Sequence, residues 1–356
     1  MSSIQNAVRS GTGSKGFTAT NMRNEGKIMK SETHCIILMT TYNGEKYLTQ
    51  QIDSIINQTH QNWRLMVRDD GSSDSTVGIL RSFEEQDKRI KVYCNTTDKH
   101  GAYLNFWTLI HEARQNHSDY NYYFFSDQDD VWEPNKLELM IEEAAKLPQD
   151  KPMLLYGDMR VIDQNNRVVY ESLNKVMGIG EMSGYSLFFT HGFLWGCDVC
   201  VNNALFMSMP LLPLDHPHIE IMSHDNYMGK YALLTGGIKY IDKVMINHRR
   251  HGDNTTGGYS MKLSPIKIFK RFALQYEDLA KTHARVYNQT LILIDQLDKC
   301  GKKTNELKKI ESGLHAGGIK MITIMWRLSV KRKQKARTLG IYIIALTKRY
   351  KKYLVV

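Results

Sequence analysis

The stretch Tyr122-Tyr123-Phe124-Phe125-Ser126-Asp127-Gln128-Asp129-Asp130 joins four aromatic residues to three aspartates within four positions. A short run that is apolar at every position is typical of a strand buried on both faces of a parallel sheet. Carboxylates this close together repel one another unless a hard cation lies among them. The stretch therefore predicts a buried strand that ends in a candidate site for Mg²⁺ or Mn²⁺. A solvated acidic loop that caps a helix is the alternative interpretation.

Three segments nearer the N-terminus repeat this order of an apolar run followed by polar residues. The runs at 35–39, 63–68 and 90–93 predict strands, and the amphipathic segments between them predict helices. This alternation predicts an α/β fold with a mostly parallel central sheet and flanking helices. Ligands of such sheets bind at the carboxyl ends of the strands. We therefore expect one site to be built from the polar clusters at these ends: Thr40–Glu45, Asp69–Asp74 and Asp127–Asp130.

Composition divides the chain into three parts. It has 356 residues, of which 42% are hydrophobic and 24% charged, a globular balance that excludes wholesale disorder. Residues 1–30 are rich in small polar residues, which predicts a disordered lead without a signal-peptide core. No stretch reaches the roughly 18 apolar residues of a spanning helix. We expect an α/β domain at 31–260, a helical extension at 261–356, and a cytoplasmic protein.

Basic residues are concentrated in the extension. Residues 261–356 hold 22 Lys and Arg against 6 Asp and Glu, whereas residues 1–260 hold 25 against 31. The extension alone is therefore expected to bind an anionic partner. Its basic clusters flank the apolar segment 339–346, which favours an anionic membrane surface. A helix packed on the body with its charges exposed is one alternative, and RNA binding is another.

Four shorter motifs each have a functional and a structural interpretation. Asp69-Asp70-Gly71-Ser72 is typical of a turn and helix cap, but its carboxylates also suit a base or a ribose hydroxyl. His224-Asp225 offers a general base or a surface helix start. His248-Arg249-Arg250-His251 suits phosphates and a metal, or a basic surface loop. Cys197-x-x-Cys200 is half a zinc site without a second pair, so two buried thiols are expected.

Taken together and in order, these motifs resemble the family 2 glycosyltransferases, which have the nucleotide-diphospho-sugar transferase (GT-A) fold. The resemblance covers about residues 34–258. The segments that carry it are Thr40–Leu48, Asp69–Thr76 and Asp127–Trp132. Further segments are similar to the bacterial rhamnosyltransferase branch: Phe125–Trp132, Gly196-Cys197, His224-Asp225 and Arg250–Asn254.

The resemblance implies a role for each matching residue. Asp225 would be the base that deprotonates the acceptor hydroxyl. Asp129 and His251 would bind the metal, Mn²⁺ or Mg²⁺. The nucleotide-sugar would be bound by Thr41, Tyr42, Glu45, Asp70, Asp127 and Arg250. Two residues, His191 and His248, depart from the family's usual pattern. The resemblance implies that residues at both positions contact the sugar or the acceptor.

The resemblance also implies a function. It indicates a metal-dependent inverting glycosyltransferase that moves L-rhamnose from dTDP-rhamnose onto a lipid-linked saccharide in bacterial cell-surface polysaccharide synthesis. The extension would hold the enzyme on the inner face of the plasma membrane, and no nucleic acid is expected as a partner. The alternatives are a UDP-hexose donor in the same fold and a nucleic-acid-binding protein that acts through the basic tail. A nucleotidyltransferase is disfavoured because Thr40–Glu45 lacks a basic residue in a Gly-rich loop.

Overall fold

The structure of the chain is a computed structural model. The residues that it describes are 33–181, 184–190, 192, 194–251 and 275–356. The predicted disordered lead lies outside the described residues, as do His191 and the segment 252–274. The chain from His34 onward forms one compact unit. Among the described helices, none is both long and apolar enough to span a bilayer.

The first part of the chain alternates strands and helices, as the sequence predicts. Its elements are β1 (Cys35–Thr41), α1 (Glu45–Ile56), β2 (Trp63–Asp69), α2 (Thr76–Gln86), β3 (Ile90–Cys94), α3 (Ala102–Asn116), β4 (Tyr122–Ser126), β5 (Val131–Trp132) and α4 (Lys136–Ala145). Every residue of β1 and β4 is buried. Successive residues of β1 alternate between the two hydrophobic cores, with Ile36 and Leu38 in one and Ile37 and Met39 in the other. The sheet is therefore covered on both faces.

The next part is more irregular. Its elements are β6 (Met153–Ile162), β7 (Val168–Tyr170), α5 (Leu173–Met177), β8 (Val199–Asn202), α6 (Asn203–Ser208), α7 (His224–Thr235) and β9 (Gly237–Arg249). The predicted turn before β7 is present, with Asn166 at a φ of 64°. Strand β6 continues beyond the predicted apolar run at 153–156, through a register irregularity near Asp158. The buried Asp158 carboxylate accepts a hydrogen bond from the Asn174 N–H at 3.0 Å, which makes its burial tolerable.

Within the described residues, nine strands form one sheet in the order β3-β2-β1-β4-β8-β6-β9-β5, with β7 paired to β6. Strands β3, β2, β1 and β4 are parallel. Strand β8 is antiparallel to both β4 and β6, and β6 is parallel to β9. Two antiparallel steps restore the original direction, so β6 and β9 end at the same edge as β1, β2 and β4. The predicted α/β fold is confirmed, and the polar clusters follow these strand ends.

Four helices follow segment 252–274. They are α8 (Tyr276–Lys299), α9 (Asn305–Ala316), α10 (Gly318–Arg327) and α11 (Lys335–Thr347). Ala284, Tyr287 and Leu291 of α8 are buried in the same hydrophobic cluster as Trp107 of α3 and Tyr227 of α7. Burying each large apolar side chain contributes about 1.5–3 kcal/mol. The extension therefore shares its core with the sheet, while the predicted boundary at 260/261 stays a prediction.

Candidate active site

The loop after β1 is hydrogen-bonded to the loop after β2. The Thr41 hydroxyl donates to Asp69 Oδ1 at 2.9 Å. Asp69 is fully buried, and its Oδ2 accepts the N–H groups of Gly71 at 3.0 Å and Ser72 at 2.8 Å. The side chain of Asp69 therefore stabilises the loop itself. The predicted contact with the nucleotide base belongs to the next residue, Asp70.

Asp70 lies at the junction of this loop with the β3–α3 connection. Its Oδ1 accepts from Asn95 Nδ2 at 2.9 Å, and its Oδ2 accepts from the Gly101 N–H at 2.7 Å. Arg68 Nη1 lies 3.7 Å from the same carboxylate. A carboxylate has about four lone-pair sites, so two accepted bonds leave capacity for a ligand. Asp70 secures the loop and is also suited to its predicted contact with the base.

Gln128 joins the acidic loop to the loop after β1. Its Oε1 accepts the Tyr42 N–H at 2.8 Å, and its Nε2 donates to the Tyr42 carbonyl at 3.0 Å. A Cβ on Gly44 would lie 2.3 Å from that Oε1, so only glycine leaves room for this amide. Glu45 Oε2 in turn accepts the Ser75 N–H at 2.9 Å. The role of Gln128 could not be predicted, because nothing in an acidic motif indicates which distant residue its middle member contacts.

The predicted metal ligands lie together. His251 Nε2 is 2.8 Å from Asp129 Oδ2, although the two residues are 122 positions apart. The Tyr47 ring packs against the His251 ring with centroids 5.0 Å apart. Beneath this pair, the buried His248 Nδ1 is 2.8 Å from Asp130 Oδ1. The interpretation of 127–130 as a solvated loop is wrong for Asp130, which is fully buried, whereas residues 127–129 are partly exposed.

The cluster contains three carboxyl groups but only two histidines that could offset their negative charge. Burial, and then the charges of Asp130 and Asp129, raise the pKa of Asp127 to about 7. Burial also raises the pKa of Asp129. Burial acts against ionised Asp130, but the attraction of His248 lowers its pKa on balance. The same attraction overcomes burial and raises the pKa of His248 to about 9. Three carboxylates thus share a site in which a further positive charge would be stabilising.

The donor atoms of the cluster fit a hard divalent cation. Carboxylate oxygens and an imidazole nitrogen suit Mn²⁺ or Mg²⁺, and Asp130 Oδ2 is buried with no hydrogen-bond partner among the described residues. Ligand atoms of Asp130, Cys197 and His248 also lie within 4.8 Å of one another. Burial holds the pKa of the Cys197 thiol well above its usual range. Sulfur is also a soft ligand that suits Mn²⁺ or Mg²⁺ less well than carboxylate oxygen does, so Asp129 with His251 is the better set. Cys197 and Cys200 are two buried free thiols, as predicted.

The two arginines after β9 have different environments. Arg249 is buried; its Nε donates to the Asp129 carbonyl at 2.9 Å, and its Nη2 donates to Gln50 Oε1 at 2.7 Å. It therefore fastens the acidic loop to α1. Arg250 is partly exposed, and its N–H donates to the Ile162 carbonyl at 2.8 Å. This bond places Arg250 at the end of β6, on the same edge of the sheet as the acidic loop. The interpretation of 248–251 as a surface loop is wrong for its first two residues, which are buried.

Asp225 lies in the first turn of α7 and is 6% exposed. Its neighbour His224 packs between two rings, with centroids 4.1 Å from Phe106 and 4.6 Å from Phe125. Burial lowers the pKa of His224 to about 4, so this imidazole is neutral at pH 7. The surface-helix interpretation is therefore wrong. Because Phe125 precedes Asp127 by two residues, the packing of His224 on Phe125 brings the start of α7 to the end of β4.

Tyr103 lies near enough to both Asp127 and Asp225 for their charges to act on its hydroxyl. Burial is the main cause that raises the pKa of its hydroxyl; Asp225 and Asp127 raise it further, and Arg285 acts in the opposite direction. The Arg285 guanidinium of α8 lies 5.3 Å from the centre of the Tyr103 ring. Neither residue was predicted from the sequence. Tyr103 belongs to no motif, and Arg285 lies in the extension, for which the sequence indicated only an excess of positive charge.

Residues 36–191 match the family model described as Glycosyl transferase family 2. The chain is 32% identical over 153 residues to the UDP-Glc:alpha-D-GlcNAc-diphosphoundecaprenol beta-1,3-glucosyltransferase WfgD of Escherichia coli, covering 40% of this chain and 56% of that protein. It is 26% identical over 225 residues to the dTDP-rhamnosyl transferase RfbG of Shigella flexneri, covering 62% and 73%. The family model confirms the predicted family for the domain at residues 36–191.

Among solved structures, the chain is similar to S. aureus TarS 1-349 in complex with UDP, with a TM-score of 0.48 and 18% identity over 90% of this chain and 83% of that one. The matched part of this chain spans 56% of the length of WfgD and 73% of the length of RfbG.

Proposed function

We propose that this chain, which carries a glycosyl transferase family 2 domain over residues 36–191, is a metal-dependent inverting glycosyltransferase. The observation that carries the proposal is the contact of His251 with Asp129, next to Asp127, at the sheet edge where helix α7 begins with Asp225. This arrangement supports a diphosphate site and a general base in one place.

The donor would lie along the carboxyl ends of β1, β2 and β4. The proposed contacts to the nucleotide-sugar are those of Thr41, Tyr42, Glu45, Asp70, Asp127 and Arg250. Asp129 and His251 would hold Mn²⁺ or Mg²⁺, and a bound divalent cation offsets the charge that develops on a leaving diphosphate. These roles rest on the family resemblance, and the burial of Thr41 and Asp70 and the contact of His251 with Asp129 support them.

Asp225 would act on the acceptor. It takes the proton of the acceptor hydroxyl while the oxygen attacks the anomeric carbon opposite the nucleoside diphosphate. One carbon–oxygen bond forms as the bond to the diphosphate breaks, so the anomeric configuration inverts. The packing of His224 between Phe106 and Phe125 supports this role, because it fixes the first turn of α7, which carries Asp225.

For the substrates, we propose dTDP-rhamnose as donor and a lipid-linked saccharide as acceptor in bacterial surface polysaccharide synthesis. The similarity to RfbG, named a dTDP-rhamnosyl transferase, supports this donor. A UDP-hexose is the alternative, supported by the name of WfgD, a UDP-Glc-dependent enzyme. The same name includes a diphosphoundecaprenol acceptor, which supports the lipid-linked class.

We also propose that the enzyme is peripheral on the inner face of the plasma membrane. Exposed apolar residues occur as pairs seven positions apart on two helices of the basic extension, Ile319 with Trp326 on α10 and Leu339 with Leu346 on α11. Residues seven apart share one helix face. Apolar side chains among lysines and arginines suit an anionic bilayer better than a nucleic acid.

The test of the activity uses the full chain with a panel of nucleotide sugars, Mn²⁺ and lipid-linked acceptors. We expect EDTA to abolish nucleoside diphosphate release, and Mn²⁺ or Mg²⁺ to restore it. Asp225→Asn should bind donor within about twofold of the wild type but lose transfer by about 10²–10⁴-fold, the usual contribution of a general base. Asp215→Asn, at an exposed aspartate of the preceding loop, is the matched control.

Two results would contradict the proposal. Full turnover by Asp225→Asn with intact donor binding would remove the assigned base. Undiminished activity in chelator would remove the metal.

A further inference from the structure

Helix α8 packs across the start of the helix that carries Asp225. Gln289 Nε2 of α8 donates to the Ile221 carbonyl at 2.6 Å, four residues before Asp225. The buried Lys230 Nζ of α7 donates to the Val286 carbonyl of α8 at 3.4 Å. Both contacts lie within about one turn of Arg285. The C-terminal extension therefore contributes directly to the surroundings of the candidate base.

Arg285 itself is exposed, and it lies on the same side of α8 as Gln289, because residues four apart share a helix face. Its guanidinium lies 5.3 Å from the centre of the Tyr103 ring, a cation–π contact. Within the described residues, no carboxylate forms an ion pair with it. Its positive charge is thus oriented by an aromatic ring and remains unneutralised by the part of the chain that the structure describes.

Tyr103 connects this cation to Asp225. It is three residues before Phe106 on α3, on the same face, and Phe106 packs against His224 with ring centroids 4.1 Å apart. Trp107 Nε1 fixes the same turn of α3 to the Met222 carbonyl at 2.8 Å. Tyr103 thus lies one turn along α3 from the residue that packs on His224, and Arg285 lies one turn along α8 from the residue that contacts Ile221. Both are on the side of the molecule where an acceptor would present its hydroxyl to Asp225.

We propose that Arg285 binds a phosphate group of the acceptor, and that Tyr103 holds the guanidinium in place. A guanidinium presents five N–H donors in a fork that matches two phosphate oxygens. The residues assigned to the donor diphosphate and its metal follow β4 and β9, whereas this cation comes from α8. The inference rests on the proposed function, and it narrows the acceptor class to saccharides joined to a lipid through phosphate or diphosphate.

The binding test needs no knowledge of the acceptor sugar. Full-length protein is first saturated with Mn²⁺ and dTDP, and in a parallel titration with Mn²⁺ and UDP, to fill the donor site for either proposed donor; geranyl diphosphate is then titrated by calorimetry. We expect Arg285→Gln to weaken binding of this probe by about tenfold or more, as for loss of a charge-assisted hydrogen bond, and Arg285→Lys to weaken it less. Arg327→Gln, at an exposed arginine of α10 in the same extension, should bind as the wild type does. Equal affinity of wild type and Arg285→Gln would overturn the proposal.

Further measurements separate the alternatives. Tyr103→Phe should retain probe binding and Tyr103→Ala should weaken it, because the ring alone supports the cation; equal binding by both variants would contradict the role of Tyr103. Arg285→Gln should float with phosphatidylglycerol vesicles as the wild type does; lost flotation with unchanged probe binding would assign Arg285 to phospholipid headgroups instead.

The transfer assay distinguishes this inference from the proposed function. Arg285→Gln should raise the KM for a diphosphate-linked acceptor and leave the donor KM unchanged. If the wild type transfers sugar and the variant matches it, only the phosphate contact fails. If no nucleotide sugar is turned over, the proposed function fails, while the probe titration still decides whether Arg285 binds phosphate.

Discussion

Adjacent aspartates of the acidic loop have different partners. Asp129 contacts His251 at the partly exposed sheet edge, whereas Asp130 contacts the buried His248 and accepts the Arg249 N–H at 3.1 Å. Removing one member of a buried ion pair costs about 3–5 kcal/mol, because the other charge is left without compensation. Substitution of Asp130 is therefore a test of stability, and only Asp129 is suited to a test of metal binding.

His224 gives a prediction about pH and stability. Its pKa is about 4 in the native state, against about 6.5 for an ordinary histidine, because it is buried. Between these values the unfolded chain binds a proton that the folded chain does not. The stability is therefore complete above about pH 6.5 and falls with pH, by about 1.4 kcal/mol per unit.

The measurement compares wild type with His224→Leu by urea unfolding at several pH values. From pH 7 to pH 5 the wild type should lose about 2 kcal/mol more than the variant, since leucine cannot titrate. Between pH 7 and pH 8 the two curves should run parallel. Parallel curves down to pH 5 would show that the imidazole is not kept neutral by the fold.

At the scale of elements, the strands were the most predictable part. The apolar runs before the polar clusters predicted β1 to β4 within one or two residues, because strands buried on both faces need apolar residues throughout. Strand β6 was predicted too short, because Gly157-Asp158 interrupts its apolar run. The sequence does not reveal that the Asp158 carboxylate is hydrogen-bonded by the distant Asn174.

Two glycines allow a matched test of element packing. Gly236 ends α7 against the Pro152 carbonyl before β6, and a Cβ there would lie 1.9 Å from that backbone oxygen. Gly78 lies exposed in α2, and nothing would lie within 4 Å of its Cβ. Gly236→Ala should destabilise the fold by about 1–3 kcal/mol, because backbone must move. Gly78→Ala should stabilise it by about 0.5–1 kcal/mol through helix propensity.

Urea unfolding of both variants measures these changes. Because α7 carries Asp225, Gly236→Ala should also reduce transfer, whereas Gly78→Ala should leave it unchanged. Equal stability of the two variants would mean that the end of α7 is not held against Pro152.

At the scale of the whole molecule, the sequence predicted which segments lie close together but not the side-chain contacts that join them. The topology of a parallel sheet brings strand ends to one edge, so Asp70 and Asp129 could be grouped without a structure. The family resemblance added His251 and Arg250 to this group. The contacts of Gln128 with Tyr42 and of Arg285 with Tyr103 could not be predicted, because they join exposed or unpatterned residues far apart in the chain. The same limit hid the packing of α8 on α7.

The basic extension gives the last prediction, on membrane association. Ile319 and Trp326 are 78% and 74% exposed on one face of α10, in a segment without acidic residues after Glu311. Each such side chain would gain about 1.5–3 kcal/mol on leaving water. Ile319→Ala combined with Trp326→Ala should therefore weaken flotation with phosphatidylglycerol vesicles by about tenfold or more. Val168→Ala with Val169→Ala, at an exposed apolar pair on β7, is the matched control.

The same assay tests the contribution of charge. Flotation should weaken as salt is raised and should be poor with neutral phosphatidylcholine, because the lysines and arginines contribute through screened attraction. Unchanged flotation of the α10 double variant would contradict membrane docking through this face. A gel shift of RNA that is abolished by the same two substitutions would instead assign the face to nucleic acid. If membrane binding fails while sugar transfer persists, the membrane proposal is contradicted and the catalytic proposal stands. The two can be tested separately because their residues lie on different parts of the chain.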